Sequence, residues 1–147
     1  MNEGLKEKKA EKAPRLVLFS PDMVFCVSLR MLYQDRFDIA CTTDPEMLVT
    51  MVKSLRPQVV IADCLPTAAM RQKFSAIRRE YPEIKVIFLY FSARPDPMLA
   101  EYLRQSGDVA FKKPVDLDEV TETIRKLVAG AQVSQLTVLR SSDLTAA

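Results

Sequence analysis

The chain has 147 residues, with 21 Lys plus Arg against 19 Asp plus Glu and a formal net charge of +2. This length predicts one domain with its own core, and the balanced charge gives no electrostatic basis for binding nucleic acid or an anionic membrane. The sequence contains no histidine, which excludes Ser/His and Cys/His catalysis, His-ligated metal sites and a phosphohistidine relay on this chain.

The first 14 residues carry four lysines among three glutamates and are predicted to form a charged, flexible N-terminal tail that ends at Pro14. Residues 15–19 are predicted to form a short apolar strand, and Asp22 then caps a helix. The apolar spacing of this helix predicts a buried stripe made of Val24, Val27, Met31 and Leu32.

Four further strand and helix units follow in the sequence. Strands are predicted over residues 37–41, 57–63, 84–91 and 109–111. Asp44 and Pro45 are suited to opening the second helix, and Asp116 is suited to capping the last one, which ends near Gly130. Four methionines at helical spacing are interpreted as core residues and not as a ligand cluster: Met47, Met51, Met70 and Met98.

Five strands that alternate with five helices through short connections predict an α/β fold: a doubly wound, five-stranded parallel sheet flanked by five helices. The domain is expected to span residues 15–130, with residues 131–147 as a C-terminal tail. Ligands and reactive groups of such folds gather at the carboxyl ends of the strands. Asp63 ends the third strand and Lys113 ends the fifth, so both are expected at this edge.

The three cysteines are widely separated and lie within apolar patterns, which predicts reduced core thiols. Cys64 is the exception, because it adjoins Asp63 and becomes reactive if Lys113 lowers its pKa. No apolar run approaches the roughly 18 residues of a membrane helix, and the N-terminus is charged, so a cytoplasmic location without membrane contact is expected. The two cysteines expected to be such core thiols are Cys26 and Cys41.

Over residues 15–129 the chain resembles the receiver domain of bacterial response regulators, of the chemotaxis-regulator type. Asp63, at the end of an apolar strand, matches the phosphoacceptor of that family. The segment Phe111-Lys112-Lys113-Pro114 matches the strand that ends on the family's Lys-Pro pair. The resemblance implies the flavodoxin-like receiver fold and a cis bond between Lys113 and Pro114.

The sequence departs from this family at the metal site. Receivers hold Mg²⁺ with two adjacent carboxylates after the first strand, and Ser20 and Pro21 occupy those positions here. Asp22 comes one residue late and is assigned to the helix cap. Since Mg²⁺ sites in proteins depend on carboxylates, the sequence predicts no resident metal or other cofactor, and Mg²⁺ only if phosphorylation is retained.

Two further sets of residues follow from the resemblance. The hydroxyl that contacts the phosphoryl group at the end of the fourth strand falls on Tyr90, with Ser92 as the alternative. Receivers usually signal through the fourth helix, fifth strand and fifth helix. On this chain that surface implies a partner face made of Glu101, Arg104, Gln105, Glu119, Glu122 and Arg125.

The leading hypothesis is a stand-alone atypical receiver, or pseudo-receiver, that acts as a protein-interaction module in bacterial two-component-type signalling without enzymatic activity. Asp63 and Lys113 would then be a structural ion pair, and the partner would be another signalling protein or a second copy of the chain. The first alternative is a phosphorylation-dependent response regulator with Asp63 as phosphoacceptor. The second is a flavodoxin-like binder of a small ligand, which is disfavoured because no glycine-rich phosphate loop follows any strand.

Overall fold

The computed structural model describes residues 13–64, 67–91 and 97–130. The strands are Arg15–Phe19 (β1), Asp38–Thr42 (β2), Val59–Asp63 (β3), Lys85–Tyr90 (β4) and Val109–Lys112 (β5). The helices are Met23–Tyr33 (α1), Pro45–Leu55 (α2), Ala68–Glu80 (α3), Pro97–Ser106 (α4) and Leu117–Val128 (α5). The predicted C-terminal tail, and all but the last two residues of the predicted N-terminal tail, lie outside the described residues.

The five strands form one parallel sheet in the order β2-β1-β3-β4-β5. The predicted doubly wound α/β fold is therefore confirmed, and the predicted strand bounds agree with the observed ones within two residues. No helix in the described part of the chain is long and apolar enough to cross a membrane.

Three predicted helix caps are confirmed. The Asp22 side chain accepts a hydrogen bond from the backbone N–H of Val24 at 2.9 Å and so begins α1. Asp44 and Asp116 accept equivalent bonds, each at 2.9 Å, at the starts of α2 and α5. Each cap satisfies a backbone donor that the first helical turn leaves without a partner.

The sheet is covered on both faces because its central strands are apolar on both faces. Val59 and Ile61 of β3 pack in the layer that contains α1 and α5. Val60 and Ala62, which alternate with them, pack in the layer that contains α2, α3 and α4. This alternation also decides on which side of the sheet any residue at a strand end lies.

The predicted buried stripe of α1 is wrong. The side chains that α1 buries are Cys26, Leu29 and Tyr33, and the hydroxyl of Tyr33 lies 2.8 Å from that of Thr121 on α5. The helix is apolar around most of its circumference, so sequence spacing offers two stripes and cannot decide which one meets the sheet. The stripe that was predicted to be buried is 46–73% exposed: Val24, Val27, Met31 and Leu32.

The methionines divide in a similar way. Met70 is buried against the sheet, as predicted, and Met51 packs partly buried against the same core. Met47 and Met98 are 45% and 79% exposed, so the prediction that they fill the core is wrong. Both lie in the first turns of their helices, beside the carboxyl edge of the sheet.

Two leucines of α1 provide a direct test of its orientation. Leu29 is 1% exposed and Leu32 is 46% exposed. We expect Leu29→Ala to lower the free energy of unfolding by about 2–5 kcal/mol, because it leaves a cavity in the core. Leu32→Ala should change it by less than about 0.5 kcal/mol. Urea unfolding of both variants at low protein concentration measures the difference, and equal losses would contradict the observed orientation.

Candidate functional site at the carboxyl edge of the sheet

Three polar side chains lie at the carboxyl ends of β1, β3 and β5, on the same side of the sheet. Ser20 follows β1, Asp63 ends β3, and Lys113 follows β5. Each lies two residues beyond an apolar side chain that packs in the α1 and α5 layer. Because side chains alternate along a strand, the alternation that builds this layer also directs all three polar groups to one place.

Ser20 is held at this site by hydrogen bonds of its side chain and its backbone. Its Oγ donates to Oδ2 of Asp63 at 2.7 Å and accepts from the backbone N–H of Asp22 at 3.0 Å. Its own backbone N–H donates to the carbonyl of Thr42 at 3.1 Å. The residue is 0% exposed, so the hydroxyl is fixed in position and is directed at the carboxylate.

Lys113 supplies the positive charge of the site. Its Nζ forms an ion pair with Oδ1 of Asp63 and lies 5.7 Å from the ring centroid of Phe25 on α1. Its backbone N–H donates to the carbonyl of Tyr90 at 2.7 Å, and the bond to Pro114 is cis, as predicted. Phe25 is a site residue that the sequence reasoning missed, because the predicted stripe of α1 placed the wrong face of that helix inward.

The carboxylate of Asp63 therefore has a partner on each oxygen, while the residue is only 5% exposed. Removing a carboxylate from water is unfavourable unless an opposite charge and hydrogen bonds compensate for the lost solvation. Lys113 provides the charge and Ser20 provides the hydrogen bond. The arrangement neutralises Asp63 without any further ion.

The residues around Asp63 do not fit a Mg²⁺ ion. This ion takes hard oxygen ligands, mainly carboxylates, in an octahedron. Ser20 is neutral and donates its proton to Asp63, Pro21 has no side-chain donor, and Asp22 is used as the cap of α1. Within the three described ranges, no group of three or more Asp, Glu, Cys or His side chains is placed to hold a metal.

The structure places Tyr90 in the opposite layer from Asp63. Tyr90 is 1% exposed and belongs to the core cluster that α2, α3 and α4 cover, whereas Leu89, which pairs with Asp63 across the sheet, belongs to the other cluster. The alternative residue for the switch hydroxyl, Ser92, lies outside the described residues.

The environment of Cys64 disfavours a reactive thiolate. Burial raises the pKa of the Cys64 thiol to about 12; the carboxylate of Asp63 also raises it, and Lys113 lowers it by less. The condition under which Cys64 was expected to be reactive, a pKa lowered by Lys113, is not met. Burial likewise raises the pKa of Cys41, to about 11, and that of Cys26.

The residues of the expected partner face are all exposed, as a docking surface requires. Those on α4 interact with one another: Gln105 donates to Glu101 at 3.1 Å, and Arg104 lies 3.7 Å from Glu101. On α5, Glu122 pairs with Lys126 at 3.5 Å. Exposed pairs of this kind contribute little to stability. The six residues of this face are Glu101, Arg104, Gln105, Glu119, Glu122 and Arg125.

No protein-family model matches the sequence, and no curated protein matches it by sequence. Solved structures do resemble it. The signal receiver domain of a Vibrio parahaemolyticus protein described as a Luxo repressor is 18% identical, with a TM-score of 0.69 and coverage of 92% of this chain and 98% of that chain. The receiver domain of an HD domain-containing protein from Pseudomonas fluorescens is 20% identical, with a TM-score of 0.69 and coverage of 81% and 97%.

A third similar structure is the isolated receiver domain of RcsB from Salmonella enterica serovar Typhimurium, solved with the phosphomimetic BeF₃⁻. It is 14% identical, with a TM-score of 0.69 and coverage of 88% of this chain and 98% of that chain. At these identities the likeness establishes the fold, which is that of signal receiver domains. What the chain does with this fold depends on the site itself.

The Asp63–Lys113 pair should respond unequally to the loss of either partner. Lys113→Met leaves a buried carboxylate without its cation, and we expect a loss of about 3 kcal/mol in the free energy of unfolding. Asp63→Asn leaves the ammonium of Lys113 without its partner, but this side chain is 36% exposed and can be hydrated. The loss in the free energy of unfolding should therefore be smaller for this variant. Urea unfolding of both variants measures this.

The double variant Asp63→Asn/Lys113→Met completes the test of the pair. It should be more stable than Lys113→Met alone, because no uncompensated charge remains. Strictly additive losses would show that the two groups do not stabilise each other.

The thiol of Cys64 should be alkylated very slowly in the native protein at neutral pH, because only the thiolate reacts. Its rate with iodoacetamide should rise about tenfold for each unit of pH up to strongly alkaline solution. Peptide mass spectrometry on native and urea-unfolded protein measures the rates site by site. Equal rates in the two states at neutral pH would contradict the raised pKa.

Proposed function

We propose that this chain is an atypical receiver that acts as a protein-interaction module in two-component-type signalling, without phosphorylation and without a reaction of its own. The observation that carries the proposal is the hydrogen bond from Ser20 to Asp63 at 2.7 Å. It occupies the place where receivers of the resembled family have metal-binding carboxylates. Residues 15–130 form the proposed receiver unit.

Phosphoryl transfer to Asp63 would be electrostatically unfavourable in this site. An incoming phosphodonor is an anion, and enzymes that transfer phosphoryl groups use Mg²⁺ and cationic side chains to neutralise it. Here Lys113 is the cation paired with Asp63, and the neighbouring hydroxyl is neutral. Among the described side chains that contact Asp63, Lys113 is the one cation, and it would have to serve both the carboxylate and the phosphodonor. This favours a site that stays unmodified.

A partner of this module would be recognised through the exposed residues of α4 and α5. Acidic and basic side chains alternate on this face, with Glu101 and Arg104 on α4 and Glu122 and Arg125 on α5. Mixed charge of this kind favours a protein surface with the complementary pattern over a uniformly charged polymer such as nucleic acid. We therefore propose another signalling protein as the partner.

One observation favours a second candidate function, a phosphorylation-dependent response regulator. Asp63 and Lys113 are paired at the carboxyl edge, as the resemblance implies for a phosphoacceptor site. A phosphoryl group on Asp63 would add roughly 1.5 to 2 negative charges beside Lys113 and would bias the neighbouring loops. Dependence on Mg²⁺ separates the two functions.

The direct experiment is incubation of the full chain with acetyl phosphate and Mg²⁺, followed by intact-mass spectrometry. We expect no added phosphoryl group on the wild type, and the Asp63→Asn variant is the matched control. A Mg²⁺-dependent gain of one phosphoryl group that the control lacks would reject the proposed function and establish the regulator.

Restoring the acidic pair should create the missing metal site. In the variant Ser20→Asp/Pro21→Asp, three carboxylates converge at the edge, and their repulsion should make Mg²⁺ stabilising. We expect millimolar Mg²⁺ to raise the melting temperature of this variant and to leave the wild type unchanged. Adding Asp63→Asn should weaken the response. An equal Mg²⁺ response of the wild type would contradict the argument from the donor set.

A further inference from the structure

The outward side of α1 is almost free of polar groups. We call it the α1 face and define it as Met23, Val24, Val27, Ser28, Met31 and Leu32. Its five apolar members are 63%, 73%, 48%, 65% and 46% exposed in chain order. Ser28, which is also exposed, is the only polar side chain among them.

This face is unusual for a helix at a protein surface. Such helices normally bury one apolar stripe and expose charged side chains on the other side. In α1 the buried stripe is complete without the α1 face, and Arg30 is the only charged residue of the whole helix. Contiguous apolar surface of this kind marks a site of association.

We propose that the α1 face is a two-fold interface between two copies of this chain. Met23, Val27 and Met31 lie four residues apart and form one ridge of apolar side chains along the helix, the kind of row through which helices contact each other. The ridge has the same residue type at both ends and is therefore symmetric about Val27. An antiparallel two-fold pair places Val27 on the axis and sets each Met23 against Met31 of the second copy.

The charges beside the ridge are complementary under the same symmetry. Arg30 lies next to the ridge and is level with Val24 of the second copy in the antiparallel pair. The exposed Asp22 of that copy is then about 3 Å further along the helix axis, within reach of the arginine side chain. The antiparallel arrangement also sets opposite ends of the two helix dipoles against each other.

This interface is separate from the proposed partner face, whose residues lie on α4 and α5. A dimer through α1 would present two copies of that face to a partner, which raises avidity if the partner is itself multivalent. The proposed dimer does not depend on the proposed function, since no residue of the α1 face belongs to the phosphorylation chemistry.

The test measures the molar mass of the full chain by sedimentation equilibrium from micromolar to millimolar concentration. The monomer has a mass of 16.6 kDa, and we expect reversible formation of a species of twice that mass. A chain that stays monomeric at every concentration would overturn the proposal.

Substitutions at the axis residue distinguish this interface from any other. Val27→Glu or Val27→Lys places like charges against each other, and each should weaken the dimer at least about 100-fold. An equimolar mixture of the two variants should form dimers again, because opposite charges then meet on the axis. Met47→Glu and Met47→Lys, at an exposed methionine of α2, are matched controls and should dimerise as the wild type does.

The antiparallel register has its own pair of variants. This pair also tests the interface if circular dichroism shows that the Val27 variants fold poorly. Met23→Lys/Met31→Glu should keep the dimer, because each lysine meets a glutamate of the second copy. Met23→Glu/Met31→Glu should abolish it. Equal behaviour of these two variants would reject the two-fold pair.

Other occupants of the α1 face give different results, and each would overturn the proposal. A dimer that tolerates Val27→Glu and Val27→Lys is formed through another surface. A monomeric full chain that dimerises only after removal of residues 131–147, and then loses the dimer on Val27→Glu, has its own C-terminal segment as the occupant of the face.

Discussion

The burial of one carboxylate sets the main constraint on this molecule. Asp63 is 5% exposed because β3 is the central strand of a sheet that is covered on both faces. A charge in that position must be compensated, and both compensating groups come from other strands. Ser20 follows a neighbouring strand of β3 and Lys113 follows the strand at one edge of the sheet. The chain must therefore complete its fifth strand before the charge at the centre of the sheet is neutralised.

The same alternation of side chains builds the core and the site. Residues that point toward α1 and α5 are apolar along β1, β3 and β5, and they become Ser20, Asp63 and Lys113 where these strands end. The Ser20 hydroxyl gives Asp63 a neutral hydrogen-bond donor at this edge, within an intact five-stranded parallel sheet.

The limits of sequence reasoning appear at particular residues. The five-stranded parallel sheet, the caps at Asp22, Asp44 and Asp116, and the meeting of Asp63 with Lys113 followed from apolar periodicity, capping chemistry and the resemblance. The rotation of α1 did not, because a helix that is apolar nearly all round has no unique inward face, and so the contact of Phe25 with Lys113 was also missed. Ser20 and Asp63 are 43 residues apart in the sequence, and their hydrogen bond depends on the register between β1 and β3. The pattern of a single sequence does not reveal that register.

The two proposals join at α1. If Asp63 stays unmodified, its phosphorylation does not shift the molecule between conformational states. Association is then one route to regulation, because it responds to concentration and to the valence of the partner. The helix that carries the apolar face also places Phe25 over Lys113, 5.7 Å from ring centroid to Nζ. Packing a second copy on this helix would restrict its motion and so help to hold Phe25 against Lys113 at the sheet edge.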